Sequence, residues 1–217
     1  KKLGESDLNI QQLQQAVISF ENAAKLFETN NEINFIPKEQ FEYHLTVYFR
    51  SLLESGLTHL SLANQQTGIK KQLALETTNE VLLSILTHFE DETSPFSEIL
   101  KESQPFPKIF EEAHFSLAQL HLTTNNPQKA EEVLTKIIEK YSQEEIQRGY
   151  YLSRSWYELG NIAFNKKDIS LALTLFKKSE QTSRGKVLSI EQKLKLWIKQ
   201  SSCYKALNDL DNAMLML

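Results

Sequence analysis

Along most of the chain, apolar residues recur at spacings of three and four, the period of a helix that buries one face. The first such stripe is Leu13, Val17, Phe20, Ala24 and Phe27, with Ser6 or Asp7 placed to cap its start and Thr29-Asn30-Asn31 to end it. Pro37 suits the first turn of a second helix, whose stripe runs Phe41, Leu45, Tyr48, Leu52 and on to Leu60. Asn64 to Gly68 turns the chain into a third, with Leu73, Val81, Leu82, Ile85 and Phe89 on its apolar side. An irregular stretch follows from Glu90 to Pro107, with Pro95, Pro105 and Pro107 and room for a short helix at 96–101. Beyond it the pattern predicts helices over 110–123, 127–141, 143–165, 169–184 and 190–206, and a last one from about Asp211. Ser142 to Glu145 and Ser189 to Gln192 have the form of capping boxes, Asp168 caps the start at 169, and Gly185 is a helix stop. No segment alternates in the period-two manner of a strand.

The second half repeats itself. With Ala130, Ala172 and Ala213 in register, a large ring stands sixteen residues before each: His114, Trp156 and Trp197. Nine before each stands His121, Ala163 or Tyr204, and four after each stands Leu134, Phe176 or Leu217. The turns align as Asn125-Asn126, Lys167-Asp168 and Asn208-Asp209, with no gap inside any unit. Successive alanines are 42 and 41 residues apart. Self-similarity at such a period signals stacked supersecondary units, each unable to bury its apolar face alone.

Trp156-Tyr157-Glu158-Leu159-Gly160-Asn161-Ile162-Ala163-Phe164, then Lys167-Asp168, Ala172 and Phe176, resembles the tetratricopeptide repeat family. The departures are Ala163 for the usual aromatic and Ser179 for a small apolar residue. The period also exceeds the common value of about 34 residues, a surplus read as about two extra turns on each first helix. The resemblance implies an all-α fold of α-α superhelix type, a right-handed solenoid of antiparallel hairpins. Three repeats occupy 107–217, the last cut short at its end, and divergent hairpins occupy 1–106. Ala16, Phe20 and Ala23 resemble a second helix of an earlier repeat, with Leu3-Gly4 a remnant of its first helix. Close packing explains the small residues: Gly160 is expected to face Ala172 across one hairpin, and the aromatic rings to fill the space between hairpins.

Composition narrows the function without naming it. Six glycines and five prolines in 217 residues leave little for turns or phosphate-cradling loops. No glycine-rich nucleotide motif, nucleophile elbow or His-Glu-x-x-His occurs, so the reading is not an enzyme, with no cofactor and no metal. Glu111-Glu112-Ala113-His114 contains one Glu-x-x-His, but a di-iron bundle needs a second copy. The repeat register makes His114 and His121 packing residues. The single cysteine, Cys203, rules out an internal disulfide and reads as a structural thiol. Net charge is −4 overall, with 8 basic against 15 acidic residues in 1–105 and 16 against 13 in 106–217. This balance argues against nucleic-acid binding, and no run is apolar and long enough to span a membrane. The uncapped apolar ending from Asn212 to Leu217 reads as a piece of a longer protein.

By the resemblance, the chain is a non-catalytic scaffold that binds a protein or peptide segment in a concave groove lined by the first helix of each hairpin. The groove positions carried over are Phe115 and Gln119 in the first unit, with Leu122. The second unit supplies Arg154, Tyr157, Asn161 and Phe164, and the third Lys195, Lys199 and Ser202, with Ile198 and Lys205. Asn161 is the expected hydrogen-bonding contact to an extended backbone. Phe115, Tyr157 and Phe164 have packing within the stack as their alternative, and Lys195 and Lys199 a solvated face. Phe115 and Glu158 stand where a carboxylate clamp would need lysine and asparagine, so chaperone-tail binding is not expected. Ala130 to Leu134 and Ile137 to Tyr141 look like repeats of bacterial envelope-assembly proteins, which points to the periplasm, with the cytoplasm next. The alternative is a sensor or regulatory solenoid joined to an effector domain outside this segment. Oligomeric state stays open.

Overall fold

The stripes form ten α-helices among the residues that the computed structural model describes: 2–29, 38–93, 97–103, 105–142, 149–182 and 189–216. They are α1 (Lys2–Thr29), α2 (Lys38–Gln65), α3 (Gly68–Glu90), α4 (Ser97–Glu102), α5 (Pro105–Thr123), α6 (Pro127–Tyr141), α7 (Gly149–Asn165), α8 (Ile169–Thr182), α9 (Ile190–Ala206) and α10 (Leu210–Leu215). No strand occurs among the described residues. The chain forms two compact units, residues 1–120 and 121–217.

Two helix starts differ from the expected ones. Leu3, Gly4, Ser6 and Asp7 all lie inside α1, so Leu3-Gly4 belongs to the same helix as Ala16 and neither Ser6 nor Asp7 caps it. The fifth helix begins at Pro105 and not near Phe110. Pro105 and Pro107 sit in its first turn, where a missing N–H costs nothing because no carbonyl precedes it there. The expected starts at Pro37 and at the Ser142 to Glu145 box, and the stop at Gly185, lie outside the described residues.

In the first unit α2 packs on both α1 and α3, and α4 on α3. Val17, Leu62, Ala63 and Ala74 form one core cluster, joined by Ile10 and Leu13. A second is aromatic: the Phe49 ring meets those of Phe106 and Phe110 edge-on at 6.2 and 5.4 Å, and Phe89 stacks on Phe110 at 3.9 Å. Thr78, fully buried, donates its hydroxyl to the Ala74 carbonyl at 2.8 Å, so its polar atom costs little on the packed face. Arg50 ties α2 to α5 through Glu112 at 3.1 Å.

In the second unit the principal packing pairs among the described residues are sequential: α6–α7, α7–α8, α8–α9 and α9–α10. Ala130, Ala172 and Ala213 are all buried, as the repeat register requires. The turns repeat down to the backbone. Asn125, Lys167 and Asn208 have φ of 56°, 67° and 61°, the left-handed conformation. Each donates its N–H three residues back, to Leu122, Phe164 and Lys205, and the following N–H reaches five back, to His121, Ala163 and Tyr204. This is a Schellman stop used three times. The next helix is then capped by the same following residue: Asn126, Asp168 and Asp209 accept from the N–H groups of Lys129, Leu171 and Asn212 at 3.3, 3.1 and 3.2 Å. The Ser189–Gln192 capping box forms as expected, with Gln192 N–H on Ser189 Oγ and Ser189 N–H on Gln192 Oε1.

Asparagine tolerates the left-handed region better than lysine does. Replacing Lys167 with glycine is therefore expected to stabilise the second unit by about 0.5–1 kcal/mol, part of the roughly 1–2 kcal/mol that a Cβ costs there. A urea titration of parent and variant measures it, and an unchanged or lower midpoint would contradict the strain.

The α7–α8 contact is closer and more polar than the repeat pattern suggests. Ser153 Oγ donates to the Ser179 carbonyl and Ser179 Oγ to the Ser153 carbonyl, both at 2.8 Å and both buried. Ser179 departs from the usual apolar residue because it has this partner. Gly160 faces Phe176: the three atoms nearest to a Cβ built there all belong to that ring, not to Ala172. The rings at the head of each repeat are not uniformly interior. His114 is buried, Trp156 is half-buried beneath Lys178, whose Nζ lies 4.5 Å from the ring centroid, and Trp197 is 38% exposed. Glu180 holds Trp197 by accepting from its Nε1 at 3.1 Å.

Candidate functional site

On α7, Arg154, Tyr157, Glu158 and Asn161 fall at spacings of three and four, so helical geometry sets them in one row. On α9 the same rule aligns Lys195, Lys199 and Ser202. The two helices, with Ser179 of α8, enclose a cleft of about 200 Å³ lined by Arg154, Tyr157, Glu158, Gln192, Lys195 and Leu196. Arg154, Tyr157 and Lys195 thus meet at one place, as carried over from the repeat positions.

Phe164 and Lys199 pair further along, with the ammonium 5.6 Å from the ring centroid. Ser202 Oγ donates to the Ile198 carbonyl of its own helix at 2.8 Å. Phe115, at the repeat position of Tyr157, is 3% exposed and belongs to the core. Gln119 is half-buried on α5. Both lie in the first unit, so the cleft of the second unit is built without them.

Within the cleft, charge is mixed. Lys195 meets Glu191 at 2.7 Å, which raises the pKa of the lysine and lowers that of the glutamate. Both are solvent-exposed, so the pair leaves Lys195 able to swing to another anion. Burial pushes the Tyr157 hydroxyl up, helped by the Glu158 charge and opposed by the Asn161 amide and Lys195. It stays a neutral donor and acceptor at neutral pH. Asn161 Nδ2 donates to Glu158 Oε2 at 3.1 Å. Its Oδ1 is buried and has no hydrogen-bond partner among the described residues. An amide oxygen in that state costs about 1–3 kcal/mol until a donor arrives. Phenol, amides, guanidinium, ammonium and carboxylate side by side suit the alternating N–H and C=O groups of a peptide.

Sequence reasoning missed Gln192, Ser179 and Leu196. Gln192 was read as a cap and does cap, with its side chain also facing the cleft. Ser179 was visible only as a departure from pattern.

Other candidate groups lie elsewhere. Glu111 and His114 are buried in the first unit, His114 Nδ1 donates to the Phe110 carbonyl at 2.9 Å, and Nε2 stands 3.7 Å from Glu90. No cluster of three or more His, Cys, Asp or Glu able to hold a metal exists among the described residues. His121 is half-buried, and burial with the nearby Lys129 lowers its pKa against a smaller pull from Glu132. Cys203 is fully buried, and burial raises its thiol pKa despite Lys199. Its reaction with an aromatic disulfide at neutral pH is expected to be slow and to reach the free-cysteine rate only in denaturant. Rapid labelling of the folded chain would contradict this.

Residues 111–139 and 153–184 match the family model for the tetratricopeptide repeat. No curated protein matches the chain, and no solved structure matches it. No helix among the described residues is long and apolar enough to cross a membrane.

Proposed function

Because the chain carries tetratricopeptide repeats at residues 111–139 and 153–184, units that generally mediate protein–protein interaction, we propose that it is a non-catalytic scaffold binding an extended partner segment along α7 and α9. The single observation that supports this most is Asn161. Its amide is anchored at one end by Glu158 and carries a buried, unpartnered acceptor at the other, one turn from the cleft of Tyr157 and Lys195. A backbone N–H of a bound segment satisfies that oxygen once the half-buried Asn161 amide turns it outward. Arg154, Tyr157 and Lys195 supply further hydrogen bonds around it, and Phe164 with Lys199 extends the apolar and cationic surface along the same face.

Removing Asn161 is expected to weaken binding by about 0.5–1.5 kcal/mol, the net worth of a neutral hydrogen bond, and to leave stability equal or slightly higher, since the parent buries an unsatisfied atom. The experiment selects binders from a displayed library of random peptides. Parent, Asn161→Ala and Tyr157→Ala are then compared by calorimetry and thermal melting. Selected peptides that bind both variants as tightly as parent would place the binding surface elsewhere. Lost stability in Asn161→Ala would make the residue structural.

A further inference from the structure

The face along α7 limits which backbone can lie on it, an inference that rests on the binding face proposed above. Tyr157, Asn161 and Phe164 are four and three residues apart, so they share one side of α7, and all three are half-buried. Tyr157 and Phe164 stand two turns apart, about 10.5 Å along the axis. Between them is the Asn161 amide, whose Nδ2 donates to Glu158 Oε2 at 3.1 Å. Its Oδ1 is buried with no hydrogen-bond partner among the described residues. A partner that uses all three must set one apolar residue on each ring and one open N–H between them.

The regular backbone forms differ in whether they meet this requirement. A β-strand presents same-side residues about 6.7 or 13.4 Å apart, and neither distance spans the two rings. An α-helix matches the length with residues seven apart, but its interior N–H groups are bonded within the helix. A polyproline II segment turns once every three residues and rises about 9.3 Å in that turn. Its residues i and i+3 therefore point the same way at nearly the required distance. It makes no internal hydrogen bond, so a non-proline residue between those two has its N–H open.

The polar groups of the cleft agree. Proline carries no N–H, so a proline-bearing segment offers mostly carbonyl acceptors. The carboxylates here are already engaged, Glu158 with Asn161 and Glu191 with Lys195 at 2.7 Å. Gln192 Oε1 accepts from the Ser189 N–H. The Arg154 guanidinium, the Tyr157 hydroxyl and the Lys195 ammonium line the cleft as donors.

We propose that the segment bound along α7 and α9 is a polyproline II segment of the form Pro-x-x-Pro. Its two prolines lie on Tyr157 and Phe164, and an N–H between them meets Asn161 Oδ1 once the amide has turned outward.

Peptides selected from the random displayed library test this, synthesised and measured by calorimetry, with thermal melting confirming that each variant is folded. The selected peptides are expected to share two prolines three apart. Moving one proline to a spacing of four is expected to weaken binding about tenfold or more, since one ring loses its contact. N-methylation of one of the two residues between the prolines removes an N–H without touching the protein. It is expected to weaken binding to the parent about three- to tenfold and to cost nothing further in Asn161→Ala. Peptides that lose affinity for Tyr157→Ala and Asn161→Ala but carry no such spacing, or that bind as helices by circular dichroism, overturn this inference and leave the binding face standing. N-methylated peptides that bind the parent undiminished overturn the Asn161 contact and the inference with it. Peptides indifferent to every variant, or a library that yields no binder, overturn the face itself and this inference together.

Discussion

Replacing Phe49 with alanine is expected to destabilise the first unit by about 3–5 kcal/mol, the usual loss for a buried phenylalanine. The ring is 1% exposed and touches the rings of Tyr48, Phe106, Phe110 and the imidazole of His88, with centroids between 5.1 and 6.2 Å. Its removal leaves a cavity whose walls come from α2, α3 and α5. Edge-to-face ring pairs add roughly 0.5–1.5 kcal/mol beyond area burial, which places the expectation toward the upper end. Urea denaturation followed by hydrogen exchange on α2 and α5 measures it. A loss below about 1 kcal/mol would mean that the aromatic cluster does not hold the unit together.

Gly160→Ala is the second large effect, and its sign has to be decided between opposing contributions. In an exposed helix the change would gain about 1 kcal/mol from propensity. Here the new Cβ would lie 2.6 Å from Phe176 Cε1, 2.7 Å from Cδ1 and 3.0 Å from Cζ. Phe176 is fully buried, so the ring has nowhere open to swing. Overpacking of that kind costs about 1–3 kcal/mol, and the expected net loss is about 1–2 kcal/mol. Combining Gly160→Ala with Phe176→Leu should recover part of it, because the smaller side chain clears the space. A double-mutant cycle by thermal melting reads the coupling. If Gly160→Ala alone raises the melting temperature, α7 and α8 approach each other less closely than this contact implies.

What could be read from the residues depended on whether the information was local. The repeat spacing located each turn, and Lys167 shows how far that reaches. Lysine gives no turn signal of its own, yet its register with Asn125 and Asn208 places it at the left-handed position. Asp168 and Ser189 were legible as caps because a cap and its partner lie three residues apart. Ser6 and Asp7 misled for the same reason: the local signal was present, but the residues before them continue the helix. Tertiary approach was not legible. Phe115 and Tyr157 occupy one repeat position, but Phe115 is buried in the core and Tyr157 is half-exposed at a cleft. Nothing in the period distinguishes them, since each one's surroundings come from distant segments. Ser179 likewise gained its meaning only from Ser153, 26 residues earlier.

The sequential packing of the second unit bears on how it responds to force. Its helices pack chiefly on their neighbours in sequence, and the stops and caps are satisfied by nearby residues. Among the described residues, tension applied through α10 meets no strand and no principal contact with a distant helix of the unit to rupture first. The load falls on the α9–α10 contact and passes to α8–α9 only when that has opened, so extension proceeds in small steps of one helix or one hairpin. Because the principal contacts join helices that are neighbours in sequence, each opened step loses little loop entropy on closing again and reforms quickly once the tension drops. A segment with this construction yields and recovers like a spring when a bound partner is pulled, while the remaining hairpins keep their packing.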